Sequence, residues 1–206
     1  DMLFDGSATA HCDLYLGLGQ LLAQLHNTSD SINTTDITRP AWDLQGLLGK
    51  SPFWGKFWEN PTLSAGEKKL IIYAKDAARD YLTAMKGADF GLIHADALQE
   101  NIFTNEAGLT LIDFDDAGYG YRGYDLGVAV SQHYTLRYLD DLLVAIQSGY
   151  GTLRKAPSVE DIKFFLMLRG FASSGWVIQR QPKKSPAHRR FAERALHLAH
   201  QWLTNP

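Results

Sequence analysis

Cysteine is nearly absent from this chain: Cys12 is the only one among 206 residues. An internal disulfide is therefore impossible, and a cysteine-based zinc site has too few ligands. A reducing, cytoplasmic setting fits that composition. An excess of one charge is lacking too. Lys and Arg number 20 against 23 Asp and Glu, a net charge of −3, so nothing in the composition points to nucleic acid as a partner. No apolar run approaches the roughly 20 residues of a membrane-spanning helix. The start, Asp1 to Gly6, has neither the basic residues nor the long apolar stretch of a signal peptide. Internal repeats and low-complexity tracts are missing as well. What is present, 45% apolar and 21% charged residues, is the make-up of a soluble globular protein. The length gives one large domain or lobe an ample core.

Helical periodicity dominates. Leu14, Leu18, Leu21, Leu22 and Leu25 recur at helical spacing within residues 11–26. The polar tract from Asn27 to Thr38 then reads as an exposed loop. A short helix is expected after Trp42, followed by the aromatic cluster Phe53, Trp54, Phe57 and Trp58. Ser64-Ala65-Gly66-Glu67 is a capping box, so a helix starts there, runs to about Lys86 and ends at Gly87. Short strands are expected at Gly91 to His94, Asn101 to Thr104 and Leu109 to Phe114, the last two joined by a polar turn at Asn105 to Gly108. Helices follow from Asp125 to about Ser148, from the cap Ser158 to about Gln181, and from about Pro186 to Leu203. The expectation is an α+β, mostly helical fold with a small embedded β hairpin.

The chemistry gathers between Leu92 and Asp125. His94, Asp96 and Asn101 form an H-x-D-x-x-x-x-N pattern, and Asp113 follows in the apolar segment L-I-D-F. Phosphoryl transfer asks little covalent help of a protein. It needs an acceptor hydroxyl held in line and cations that neutralise phosphate charge. Asp96, on the loop after the first strand, can accept the hydroxyl proton. Asn101 and Asp113 supply the hard oxygen ligands that magnesium prefers. His94 reads as a residue that orients the loop through backbone hydrogen bonds. For Asp115 and Asp116 two readings stand: pointing into the cleft, or facing water. Neighbouring carboxylates repel unless a cation or proton lies between them. Glu100 reads as solvated or structural.

These segments resemble the C-terminal lobe of the aminoglycoside phosphotransferase and choline kinase group within the protein-kinase-like fold. The matching pieces are L-I-H-A-D-A-L-Q-E-N-I-F, L-I-D-F-D-D-A-G-Y-G and Y-D-L-G. Ala95 stands where that family usually has Gly, and Gly127 where it usually has Ala. Leu21 to His26 is similar to the family's L-A-x-L-H helix end. The resemblance spans residues from about 14 to 130 and is densest over 92–127. It implies Asp96 as catalytic base, Asn101 and Asp113 as magnesium and nucleotide ligands, and Asp125 as a buried brace for the loop. It implies ATP as co-substrate and a small-molecule hydroxyl as acceptor.

Such a kinase also needs a glycine-rich loop over the nucleotide and a strand-borne lysine. Gly17-Leu18-Gly19 is the nearest glycine pattern, and it sits in a helical apolar stretch that favours a core helix. Lys50, Lys56, Lys68, Lys69 and Lys75 all fall on helices or loops. The expectation is therefore a single lobe over residues 1–206, with the N-terminal ATP-gripping lobe outside the chain as its partner. Met2-Leu3-Phe4 would then be the hinge strand or its end.

Three further groups have a bland reading beside a functional one. The aromatic cluster favours core packing over a pocket wall, with Trp54 or Trp58 the best placed for partial exposure. Arg180, Lys183, Lys184, Arg189, Arg190 and Arg194 favour a solvated face over an anion site. Asp140, Asp141, Glu160 and Asp161, with Asp115 and Asp116, could build an acid-rich pocket for a polycation or be plain surface. Arg169 and Trp176 lie on the helix after Ser158, where no motif fixes what touches the acceptor. Against the kinase stand a non-catalytic regulatory lobe and, last, metal-dependent phosphoester hydrolysis, which lacks the clustered ligands of a two-metal site.

Overall fold

The computed structural model describes residues 8–33, 36–106 and 108–204. Seven helices dominate: α1 (Ala8–Ser31), α2 (Leu44–Leu48), α3 (Ala65–Ala84), α4 (Arg122–Val130), α5 (Leu139–Gly151), α6 (Val159–Arg180) and α7 (Ala187–Thr204). Five short strands join them: β1 (Ala41–Trp42), β2 (Phe90–Ile93), β3 (Ile102–Asn105), β4 (Gly108–Leu111) and β5 (Gly118–Tyr121). The fold is α+β and mostly helical, with the expected β hairpin and, besides it, a small three-stranded sheet. Among the described residues, no helix is long and apolar enough to cross a membrane. The hinge strand expected at Met2 to Phe4 lies outside the described residues, as does Ala107 in the expected β3–β4 turn.

Local chemistry explains most helix starts. The Ser64 hydroxyl accepts from Glu67 N–H while Glu67 returns the bond to Ser64 N–H, and Ser158 with Asp161 repeats the device on α6. The α1 helix buries Tyr15, Leu18, Leu22 and Ala23, and with them His11 and His26. It also continues through Asn27 to Ser31, where a loop is expected from composition. Ser29 and Ser31 donate back to the carbonyls of His26 and Thr28, while Asp30 is held by Arg122 and Arg154. Tertiary ion pairs thus outweigh a weak local preference. Gly17 and Gly19 lie within α1, in keeping with a core helix. A Cβ on Gly19 would collide with the backbone of α5 at Ile146 and Tyr150, so the two helices touch backbone to backbone.

Two further expectations need correction. The single helix over residues 125–148 is two: α4 ends at Val130, a 3-10 turn covers Ser131–His133, and α5 begins at Leu139. Helical spacing survives a 3-10 turn well enough to hide such a break. Leu109 to Phe114 is strand only to Leu111, because Asp113 adopts φ 62° and cannot extend a ladder.

The strand β2 pairs with β5, antiparallel, and not with the hairpin; β5 in turn pairs parallel with β1, giving the order β1-β5-β2. The hairpin β3–β4 stands apart. Behind both sheets α6 is buried over most of its length, with Phe164, Phe165, Leu166, Met167, Leu168 and Phe171 in the core. These elements converge on one wall. The end of β2 presents His94 to Asp96, the hairpin presents Asn101 and Asp113, and α6 passes beneath with Arg169.

Candidate active site

The loop after β2 turns sharply at Ala95, which holds φ 64°. That left-handed conformation costs an alanine about 1–2 kcal/mol. It sits at the position where the family pattern usually has glycine. Three contacts hold it there. Asp125 Oδ1 accepts from Ala95 N–H at 2.7 Å, Asp125 Oδ2 accepts from His94 N–H at 2.8 Å, and the Ala95 carbonyl accepts from Arg169 Nη1 at 3.1 Å.

Asp125 is fully buried on α4. Its Oδ2 also meets His26 Nε2 at 3.0 Å, and His26 Nδ1 meets the Tyr150 hydroxyl at 2.9 Å. Burial alone would raise the Asp125 pKa. The hydrogen bond and charge of His26, together with His94, override it and hold the carboxyl below its ordinary range. The loop therefore hangs on a carboxylate tied to α1, 99 residues away in sequence.

His94 fixes the other side. Its Nδ1 accepts from Asp96 N–H at 3.2 Å, so Nε2 carries the proton and donates to the Ile112 carbonyl at 3.0 Å. The imidazole thereby ties the Asp96 loop to the residue preceding Asp113.

Asp96 has both carboxylate oxygens engaged. Oδ2 accepts from Asn101 Nδ2 at 3.0 Å and Oδ1 from Arg169 Nη2 at 2.5 Å. Asn101 Nδ2 also reaches the Asp96 carbonyl at 2.9 Å, which leaves its Oδ1 as the side-chain oxygen for a ligand. The Asn101 carbonyl accepts from Ile112 N–H at 3.0 Å. That bond extends the β3–β4 ladder by one step, so Asn101 and Asp113 leave the same end of the hairpin. Asp113 is exposed, and its Oδ1 accepts only a long 3.4 Å bond from Asp115 N–H.

One amide oxygen and one carboxylate from adjacent strand ends fit a hard cation that takes its remaining ligands from water and phosphate. Among the described residues, no three His, Cys, Asp or Glu side chains converge as an all-protein metal site. Asp115 is exposed. Asp116 is partly buried and faces the same cavity as Asp96. Burial, then the charge of Asp96, then that of Asp113 raise its pKa against Arg169 and Arg180.

The cavity beside Asp96 measures about 390 Å3. Asp96, Asp116 and Glu100 line one side, Trp54 and Trp176 form walls, and Arg169, Arg190 and Arg194 complete it. Glu100 is not merely solvated: its carboxylate accepts from Gln132 Nε2 at 2.7 Å. Gln132 Oε1 in turn accepts from Gln99 N–H at 2.9 Å, bracing the loop from the turn after α4. In the aromatic cluster, Trp54 and Phe57 are buried, Trp58 is partly exposed and Phe53 is exposed. Trp54 nevertheless reaches the cavity, with the Arg169 guanidinium 4.6 Å from its ring.

The acidic residues on α5 and α6 lie elsewhere. Asp140 pairs with Lys163 at 2.8 Å and Asp161 caps α6, so neither lines the Asp96 cavity. The basic segment divides: Arg189 pairs with Glu67 and Glu193 on the surface, whereas Arg194 is partly buried at the cavity. Arg169 is the residue whose role sequence reading missed. It lies 73 positions from Asp96 on another element, and no local pattern marks it.

Comparison with known proteins follows the same lines. A model of the phosphotransferase enzyme family matches residues 8–161. Among solved structures, the microcompartment-associated aminopropanol kinase superposes with a TM-score of 0.82 at 27% identity, over 94% of this chain and 63% of that one. The chain thus spans less than two thirds of that relative's length. Amicoumacin kinase, solved with AMP-PNP, Ca2+ and Ami, gives 0.68 at 18% identity, over 92% and 59%. A choline/ethanolamine kinase family protein from Mesorhizobium loti gives 0.66 at 16% identity, over 93% and 62%. No curated protein matches the chain.

Proposed function

The chain belongs to the phosphotransferase enzyme family, and from that premise we propose that it is the catalytic lobe of an ATP-dependent kinase acting on a small-molecule hydroxyl. One observation carries the proposal. Asp96 and Asn101 are hydrogen-bonded on a single loop, and Asp113 leaves the neighbouring strand end. The acceptor oxygen attacks the γ-phosphorus, its proton passes to an Asp96 oxygen, and the bond to the bridging oxygen breaks to release ADP. Magnesium would neutralise charge on the phosphate oxygens, held by Asn101 Oδ1 and the Asp113 carboxylate. The neighbour solved with AMP-PNP and Ca2+ is in keeping with nucleotide and divalent-cation use.

Arg169 has a positioning part in this scheme. Its guanidinium fixes one Asp96 oxygen while Asn101 fixes the other, so the carboxylate presents a set face to the acceptor. The nucleotide grip, a glycine-rich loop and strand lysine, would come from an N-terminal lobe of the same protein.

The test uses the full-length protein with ATP, magnesium and a panel of hydroxyl compounds. Asp96→Asn is expected to lower turnover by about 10²–10⁴-fold while magnesium-dependent nucleotide binding persists. Asp113→Ala is expected to lose both. Absence of turnover with every acceptor, together with no magnesium-dependent nucleotide binding, would favour a non-catalytic lobe instead.

A further inference from the structure

Resting on the kinase reading, we propose that the acceptor carries an anionic group, carboxylate or phosphate, seated on Arg194 and Arg190 at the α7 side of the Asp96 cavity.

The cavity has two poles. On the loop side Asp96, Asp116 and Glu100 gather, where the hydroxyl and cation chemistry belongs. On the helix side stand Arg190 and Arg194 from α7, with Arg169 between the poles. The three arginines differ in how their charge is met. Arg169 is neutralised by Asp96. Arg194 is not: among the described residues no carboxylate lies within ion-pairing distance of it. Its guanidinium stands 5.2 Å from the Tyr134 ring and 5.4 Å from the Phe191 ring.

Burial, with Arg169 and Arg190 as like-charged neighbours, holds the Arg194 pKa below its ordinary value, against the Tyr134 hydroxyl that accepts a hydrogen bond from it. Arg190 packs over Phe191 at 5.5 Å and, among the described residues, has no carboxylate within ion-pairing distance either. A partly buried guanidinium that lines a cavity and meets a neutral hydroxyl in place of a carboxylate suits an anion. Two buried donors on lining residues, Trp54 Nε1 and Arg169 Nε, also lack acceptors among the described residues.

An acceptor that was only a cationic amino alcohol would leave Arg190 and Arg194, which no carboxylate neutralises among the described residues, without a counter-charge. The anionic group turns that repulsion into the source of specificity. The hydroxyl end would lie at Asp96, and Trp54 and Trp176 would pack against the carbon frame between.

Matched acceptors test this in the full-length protein. Threonine and 1-amino-2-propanol differ only by a carboxylate; glycerol 3-phosphate and glycerol differ only by a phosphoryl group. The anionic member of at least one pair is expected to exceed its partner by tenfold or more in kcat/KM, and which pair does so identifies carboxylate or phosphate. Arg194→Met should raise its KM at least tenfold and leave the KM for ATP unchanged. The exposed Arg190→Gln should give a smaller rise in the same direction, so a folding defect at Arg194 does not leave the matter open.

Calorimetry with threonine and with glycerol 3-phosphate makes the readout independent of turnover. Anion binding that is lost in Arg194→Met, without ATP turnover, upholds the anion site and sinks the kinase reading. Turnover of 1-amino-2-propanol or glycerol equal to that of the anionic partner, with no effect of Arg194→Met, upholds the kinase and overturns the anion site. Failure of both anions to bind overturns it as well.

Discussion

Asp125 and Asp113 stand on the same wall of the site and obey opposite rules. Asp125 is wholly buried and accepts from His94 N–H, Ala95 N–H and His26. Asp113 faces solvent at a left-handed φ of 62° with one long hydrogen bond. A buried carboxylate is tolerable only when its lone pairs are filled, and then it rigidifies what it touches. An exposed one in a strained backbone is costly for the fold and available for a ligand. The first shapes the loop; the second is held out for chemistry.

The largest effect should come from breaking the inner member. Asp125→Ala leaves two loop N–H groups and His26 without an acceptor, and is expected to cost about 3–5 kcal/mol in urea unfolding. A loss under about 1 kcal/mol would mean that Asp125 does not brace the loop.

Acid should separate the two aspartates in the same sense. The Asp125 pKa is depressed in the folded state, so its contribution is full above the ordinary carboxylate value near 4 and is lost as pH falls through the lower native value. Wild-type stability should therefore decline below about pH 4, and Asp125→Ala should show a shallower decline. Asp89 adds to the slope in both proteins. Partial desolvation opposes ionisation of this exposed carboxyl, yet Arg154 holds it low.

A third break probes the frame behind Asp125. Gly127 replaces the usual alanine of the family pattern, and a Cβ there would lie 2.5 Å from Leu166 N and 2.6 Å from Phe165 C on α6. Gly127→Ala, though it restores the family residue, is expected to destabilise by about 1–3 kcal/mol. An unchanged melting temperature would show that α4 and α6 part easily.

The smallest stability effect, with the opposite sign, belongs to the outer member. Asp113→Gly relieves the left-handed strain and should gain up to about 1 kcal/mol while abolishing magnesium-dependent nucleotide binding. A loss of stability there would mean that Asp113 helps hold the hairpin.

Much of this wall was legible because its parts are close in sequence. His94, Asp96 and Asn101 share one loop, and a short hairpin brings Asp113 beside Asn101. Capping boxes at Ser64 and Ser158 announced α3 and α6. The remainder depends on distant partners. The strand β5, Gly-Tyr-Gly-Tyr, has weak strand propensity and exists because it pairs with β1 and β2. The break between α4 and α5 hides within continuous helical spacing. Arg169 reaches Asp96 only because α6 crosses under the loop, and the basic segment near α7 reads as solvent-facing until α6 and the loop enclose Arg194.

Trp54 and Trp176 put an optical reporter inside the cavity. Their rings are 6.3 Å apart, with the guanidinium of Arg169 4.6 Å from Trp54 and that of Arg180 5.2 Å from Trp176. Indole emission responds to nearby charge and to exclusion of water, so any molecule settling between Asp96 and Arg194 must change the field on both rings. Of five tryptophans, Trp42, Trp58 and Trp202 do not line this space; Trp42 packs on Trp54 at 5.0 Å and shares its response, while Trp58 and Trp202 supply a steady background. Intrinsic fluorescence can therefore follow occupancy directly, with no label and no need for turnover.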